Sequence, residues 1–514
     1  MIEKRKEKQT ESIVVDRSDV NEIRRLRSAR LDENRPEAVA KRRRTGHWTA
    51  RENIGAFIDP GSLVEYGALA KPQVEGMHGV ADGTIIGTAR VNGQPCAVLA
   101  YDYTVYAGSG GHIGYMKHER IFQLAHEMRL PVICWLEGGG HRPHDLKVGM
   151  GLDLPCFFTF AKLSGWVPLV GIVAGRCFAG NTNLAGMCDV IIATPKSTIG
   201  MAGPALIEPG LGRKVTPEEI GPLDVQVPNG VVDLVADDEG HAVAVAKQYL
   251  SYFNGQVTPG QAPDVSRLPE LVPENPRRAY DVRRVIQHIA DLDSILELRP
   301  KFGKAIVTAL IHIEGYPVGV IANNSMFLSG AIDSPASDKA SRFIQLCDAY
   351  DIPILFLCDT PGLMVGPEAE KTAIVRHASR LLINLASTTS PKLTVILRKF
   401  YGMGGFLMGS KLIKPHLLVG WPTAEFGVMG PEGAVDIIYR EELNSAADPQ
   451  TRDKLHRKYT EDLNRRYTGV EVAGKFEIDD IIDPADTRRY LAQTLASLPK
   501  PPVRTERKRM IDPW

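Results

Sequence analysis

Two glycine-rich turns carry the clearest chemical potential in this 514-residue chain. The first reads Gly175-Arg-Cys-Phe-Ala179-Gly180-Asn and the second Tyr401-Gly402-Met403-Gly404-Gly405-Phe406, each between an apolar run and an expected helix. Glycine lets the backbone approach a ligand closely, and the first N–H groups of a helix lack partners and favour negative charge. Such a turn can hold an oxyanion. Neither turn has the spacing of a nucleotide P-loop or of a dinucleotide fingerprint. Two further loops, Glu137-Gly138-Gly139-Gly140-His141-Arg142 and Asp359-Thr-Pro-Gly362, end apolar runs, where open α/β folds place their ligands. Arg142 is a candidate for gripping a phosphate or carboxylate, the alternative being a bond to loop carbonyls. The small-residue turn Gly108-Ser109-Gly110-Gly111 completes the set.

The usual reactive groups are missing. There is no G-x-S-x-G elbow, so Ser109 reads as a turn residue. No paired carboxylates stand at a spacing suited to acid–base work. His141, His144 and Asp145 lack the further His or Cys that a metal site needs. Two glycine cradles without an acid, base or nucleophile point to stabilisation of charge by backbone donors, with a cofactor supplying the reactive groups.

The elements that must position these loops follow an α/β rhythm, with short β-branched runs at residues 98–101, 132–136, 170–173 and 190–193 between helical stretches. The rhythm repeats. Ile54, Asp59, Ser62 and Glu65 recur at one offset as Ile286, Asp291, Ser294 and Glu297, and Gly93, Pro95, Gln123 and Pro131 recur at a second as Gly315, Pro317, Gln345 and Pro353. A repeat this long implies duplication of a whole domain. We therefore expect a charged helical segment over residues 1–46, one domain over 47–260, a proline-rich linker and a second domain over 275–514. Duplication suits a group-transfer enzyme, because each half can hold one of two large ligands. The basic run Lys41-Arg-Arg-Arg44 reads as a solvated helix, with contact to a phosphate or another subunit as the alternative.

Composition narrows the classes. Lysine plus arginine and aspartate plus glutamate number 61 each, a balance that gives no footprint for nucleic acid. Seven cysteines without C-x-x-C spacing read as buried free thiols in a reducing compartment, the cytoplasm being expected over the mitochondrial matrix. The N-terminus is charged over residues 3–8, and no apolar stretch approaches the roughly 20 residues of a membrane span.

A string of short motifs makes the chain resemble the carboxyltransferase (beta) subunits of propionyl-CoA and acetyl-CoA carboxylases. These are Thr49-Ala-Arg-Glu52, Asp59-Pro-Gly-Ser-Leu-Val-Glu65, Asp102-Tyr-Thr-Val105, Gly330-Ala-Ile-Asp333, Ser337-Asp-Lys-Ala340, Arg376-His-Ala378, Arg398-Lys399 and Trp421-Pro-Thr-Ala-Glu425, in family order. The resemblance implies two tandem crotonase-like domains, each a ββα superhelix, in a hexamer with active sites at subunit interfaces. It implies an acyl-CoA thioester on the N-terminal half, and biotin on the C-terminal half of a partner. Backbone donors for the thioester oxygen would then be Ala179 and Gly180, and those for the biotin ureido oxygen Met403 and Gly404. Gly110, Gly111, Gly138, Gly139, Gly140, Arg142 and Phe406 would line the substrate side, and Tyr401, Gly402 and Gly405 the biotin side. No metal is implied. No biotinylation tetrapeptide or ATP-grasp loop is evident, so biotin is expected on a separate carrier protein, carboxylated by a separate biotin carboxylase. The alternatives are a biotin-dependent acyl-CoA decarboxylase, a hydratase or isomerase without biotin, and an idle scaffold. The chain departs from the family at Glu137-Gly-Gly-Gly-His-Arg142, usually Asp-Ser-Gly-Gly-Ala-Arg, and at Ala179 and Ala373, where glycine is commoner.

Overall fold

The β-branched runs become the strands Gln94–Tyr101, Val132–Trp135, Leu169–Val173 and Val190–Ala193. The computed structural model describes residues 17–149 and 153–514, so the charged stretch 3–8 lies outside the described residues. In the first half the sheet order is Val64–Tyr66, Thr84–Val91, Gln94–Tyr101, Val132–Trp135, Leu169–Val173, Val190–Ala193, Leu234–Val235. The second half repeats it with Leu296–Leu298, Ile306–Ile313, Tyr316–Asn323, Ile354–Thr360, Lys392–Tyr401, Leu417–Gly420 and Asp480–Ile481. In both sheets the first three strands run antiparallel and the rest parallel. The central parallel strands are buried on both faces, which is why they read as unbroken apolar runs and not as alternating ones.

The repeated residues owe their recurrence to a shared job. Asp59 accepts hydrogen bonds from the N–H groups of Asn92 (2.9 Å) and Gly93 (2.8 Å), and Asp291 does the same with Glu314 (3.0 Å) and Gly315 (2.9 Å). Each aspartate thus pins a hairpin turn. Glu65 is held by Arg51 and Glu297 by Arg283, tying a helix to the first strand of each sheet.

A second matched pair is buried. Lys117 donates to the carbonyls of Ala81 and Thr84, and Lys339 to those of Phe302 (3.0 Å) and Ile306 (2.8 Å). Burial pulls Lys117 down to about 8 and Lys339 to about 7. Both folded values lie below the ordinary lysine value of 10.5, so above pH 7 the unfolded chain binds more protons and stability rises with pH. Lys339→Met should flatten that rise, measured as urea midpoints between pH 7 and 9; an unchanged slope would show that Lys339 is charged in the folded protein.

The halves are locked together. Arg342 donates to the carbonyls of Cys188 (3.1 Å) and Asp189 (2.8 Å), Tyr350 to the Asp189 carboxylate (2.9 Å), and Arg299 pairs with Asp233 at 2.8 Å. One apolar core contains residues of both sheets, Ile133 and Ile172 with Ile306 and Phe356. The C-terminal segment crosses the joint, Ser164 and Ile511 exchanging two hydrogen bonds while Lys508 meets Asp348 at 2.8 Å. The proline-rich linker is also tied down, Val257 N–H bonding Gly315 O and Leu268 being wholly buried.

The described part of the N-terminal segment corrects one expectation. It does form the helices Ser18–Ser28 and Pro36–Arg44, but its basic run is not simply solvated. Arg42 is buried and paired with Glu137, while Arg30 pairs with Glu65 and Arg35 with Asp102. A basic run read as a stripe of charge misses this, since one arginine in it points inward.

Candidate functional site

Each cradle is built from three turns that approach too closely for side chains. In the first half, a Cβ on Gly108 would lie 2.6 Å from Glu137 O, and one on Gly140 would lie 2.6 Å from the Ala179 Cβ and 3.1 Å from the Gly180 nitrogen. In the second, a Cβ on Gly330 would lie 2.4 Å from Asp359 O, and one on Gly404 2.6 Å from the Gly362 Cα. The backbone bonds match as well. Gly110 N–H donates to Gly140 O (2.7 Å) and Arg142 N–H to Gly110 O (2.8 Å), as Ile332 N–H does to Gly362 O (3.0 Å) and Met364 N–H to Ile332 O (2.9 Å). The two loops singled out in each half therefore lie against each other, as strand-end loops of an α/β fold should.

The donors themselves differ between halves. In the second, the N–H groups of Met403 and Gly404 find no acceptor among the described residues; they open the short helix Gly402–Leu407 after Tyr401, whose hydroxyl is fixed by Glu425 at 2.7 Å. Gly402 takes φ +53, a conformation glycine adopts without strain, and a Cβ on Gly405 would meet the Phe400 ring at 2.6 Å. Phe406 stands 42% exposed, edge-on to Phe400. In the first half the Gly180 N–H is likewise free, but the expectation of a matched pair is corrected. Ala179 N–H already donates to Gly200 O at 3.2 Å. Ala179 also sits at φ 54, ψ −127, a region costly for any residue with a Cβ. Ala373, at φ 57, is the other place where the commoner glycine is replaced, and its left-handed conformation shows why glycine is preferred there.

Arg142 is also corrected. Its side chain is 2% exposed and paired with Asp82 (2.8 Å) and Asp145 (2.5 Å), so it faces its own fold and not a ligand. Those carboxylates in turn accept from the N–H groups of Gly114 and His112, at the start of the helix His112–Met128. A Cβ on Gly111 would strike the guanidinium at 1.9 Å, which accounts for that glycine. Gly138 bridges to Cys177 in the strand Arg176–Phe178, and Gly139 is exposed, with nothing near its Cβ position. Among the described residues no His, Cys, Asp and Glu group is arranged for a metal.

Sequence reasoning missed a buried support under each cradle. Beneath the first, the Glu137 carboxylate lies against Gly175, and burial lifts its pKa even against the nearby Arg42. Beneath the second, Asp359 is fully buried against Arg398 at 2.9 Å. The carboxylate at the strand end was visible in both loops, but its partners come from remote segments. Also missed was Tyr115, whose hydroxyl lies 2.9 Å from the Cβ position of Gly110 and 3.6 Å from that of Gly180.

Comparisons with known proteins identify the family. The family described as carboxyl transferase domain matches residues 41–511. The methylmalonyl-CoA carboxyltransferase 12S subunit of Propionibacterium freudenreichii subsp. shermanii is 34% identical over 89% of this chain and 90% of its own. The propionyl-CoA carboxylase carboxyltransferase subunit of Haloferax mediterranei is 33% identical over 93% of this chain and 96% of its own. Among solved structures, the transcarboxylase 12S hexamer with methylmalonyl-CoA bound superposes with TM-score 0.84 at 32% identity, covering 95% of this chain and 96% of that one. A single-chain, multi-domain long-chain acyl-CoA carboxylase matches with TM-score 0.87 at 47% identity over 93% of this chain, which spans 49% of that longer protein. Among the described residues no helix is long and apolar enough to cross a membrane. With its duplicated crotonase-like halves and family match over nearly its whole length, the chain belongs to the carboxyl transferase domain family, as an enzyme of the acyl-CoA carboxylase carboxyltransferase type.

Proposed function

We propose that this chain moves a carboxyl group from biotin, borne by a separate carrier protein and charged by a separate biotin carboxylase, to the α-carbon of an acyl-CoA. The observation that carries this reading is the pair of cradles at equivalent points of two halves, with the N–H of Gly180 in the first and those of Met403 and Gly404 in the second lacking an acceptor among the described residues. Residues 47–260 are assigned to the acyl-CoA and residues 275–514 to biotin. Two free N–H groups at Met403 and Gly404, beside a glycine with no room for a Cβ, fit a flat ureido ring and its oxygen. When bound, carboxybiotin supplies the carboxyl group and then a basic ring nitrogen. The chain's part is electrostatic: Met403 and Gly404 take up negative charge at the ureido oxygen, and the Gly180 N–H takes up charge at the thioester oxygen as the α-proton leaves. Gly138, Gly139 and Gly140 shape the wall behind that thioester, and Gly110 and Gly111 the turn beside it. Tyr401, Gly402 and Gly405 set the turn on the biotin side, and Phe406 stands where the acyl group is sized.

Apolar side chains stand exposed on both halves, Phe158, Met201 and Leu206 on the first and Met403, Phe406 and Val428 on the second. Such a surface suits burial between subunits, in keeping with a hexamer in which the first half of one chain faces the second half of the next. All seven cysteines are buried and unpaired, in keeping with a cytoplasmic location.

The test is fixation of labelled bicarbonate by the purified chain with its cognate carrier and biotin carboxylase, across acyl-CoAs from short to long. The expected product is an acid-stable carboxylated acyl-CoA that requires biotin. A folded oligomer that fixes nothing across the panel yet hydrates an enoyl-CoA would replace this reading with that of a biotin-free hydratase.

A further inference from the structure

Of the two N–H groups expected to hold the thioester oxygen, that of Ala179 is spent on Gly200 O and that of Gly180 has no acceptor among the described residues. Tyr115, on the helix His112–Met128, reaches the same place with a hydroxyl. The residue is 3% exposed, and its hydroxyl meets no hydrogen-bond partner among the described residues. Gly110 has no room for a Cβ because of that hydroxyl, 2.9 Å from the position such an atom would occupy; on Gly180 it would lie 3.6 Å from the hydroxyl and 3.0 Å from the Phe157 ring. The hydroxyl thus stands near Gly180, whose N–H has no acceptor among the described residues.

The ring is held to that aim on several sides. His141 stacks on it with centroids 5.6 Å apart at 12°, His118 meets it edge-on at 5.6 Å, and Phe157 lies at 5.8 Å. Burial, the largest influence, holds the phenol above its ordinary pKa, so the hydroxyl keeps the proton it donates. The hydroxyl is not among the wholly enclosed polar atoms that lack a partner, so a ligand can reach it.

We propose that Tyr115 is a further catalytic residue, donating its hydroxyl hydrogen to the thioester oxygen of the acyl-CoA beside the Gly180 N–H, in the role that Ala179 N–H does not fill. The proposal rests on the reading that this half holds the acyl-CoA. Hydrogen bonds of this kind strengthen as charge develops on the oxygen, so the effect belongs mainly to turnover.

The test is Tyr115→Phe, which deletes one oxygen and keeps the ring against His141 and Phe157. With the complete enzyme, carrier and biotin carboxylase included, kcat should fall about 10²-fold while KM for the acyl-CoA stays within about threefold. Binding gives a second readout. Propionyl-CoA should bind the variant more weakly than the wild type, whereas its thioether analogue, with the carbonyl replaced by a methylene, should bind both equally. A kcat within twofold of wild type, or equal losses for thioester and thioether, would overturn the role of Tyr115. Failure of either CoA compound to bind the wild type would instead overturn the assignment of acyl-CoA to this half, and the proposal with it.

Discussion

Gly404→Ala should cut carboxyl transfer by about 10³-fold, which is about 4 kcal/mol of transition-state stabilisation. The added Cβ would fall 2.6 Å from the Gly362 Cα and 2.7 Å from its carbonyl carbon, both backbone atoms of the neighbouring turn. Neither turn can yield cheaply. Gly362 O accepts from Ile332 N–H at 3.0 Å, and the strand leading into Gly404 is paired on both sides. The methyl group must therefore push the Met403 and Gly404 N–H groups off their aim, which a backbone donor cannot correct by rotating a side chain. The loss should fall on the half-reaction that needs biotin, read as exchange of carboxyl between a carboxylated acyl-CoA and free biotin. Acyl-CoA affinity, which the proposal assigns to the other half, should stay unchanged by calorimetry. If exchange survived within tenfold, these two N–H groups would not be the biotin-side donors.

The sequence made the duplication and both cradles legible because each depends on residues that allow few substitutes. A turn that packs backbone on backbone demands glycine, and Gly140, Gly180, Gly362 and Gly404 all mark such contacts. Asp59 and Asp291 recur because a hairpin turn presents two N–H groups that one carboxylate satisfies. What stayed hidden depended on partners distant in the chain. Arg142 reads as a ligand contact until Asp82, sixty positions earlier, is seen to claim it. Ala179 reads as a donor until Gly200 O is found at 3.2 Å, and Tyr115 reads as one more residue of an amphipathic helix. A resemblance singles out a loop for the chemistry. It does not fix which atoms in that loop are already spoken for.

The support beneath the second-half cradle gives the largest expected effect on stability. Asp359 is completely buried at the end of the strand Ile354–Thr360, and Arg398, 1% exposed, lies on the adjacent strand Lys392–Tyr401. One Asp359 oxygen takes the guanidinium at 2.9 Å and the other takes Lys399 N–H at 3.1 Å. The guanidinium's remaining reach goes to the carbonyls of Arg278 (2.9 Å) and Asn275 (3.3 Å), so the pair also anchors the end of the linker. Asp359→Ala leaves Arg398 buried without its counter-charge, and removing one member of such a pair costs about 3 to 5 kcal/mol. The variant should show a correspondingly lower urea midpoint, together with loss of carboxyl exchange, since Lys399 leads directly into Tyr401 and Gly402. Charge is the cause only if its removal on both sides helps. The double variant Asp359→Leu, Arg398→Met should therefore be more stable than Asp359→Ala alone, while remaining inactive because the Lys399 N–H has lost its acceptor. If the double variant were the less stable of the two, packing around the pair, and not the unpaired arginine, would be what holds the two strand ends in place.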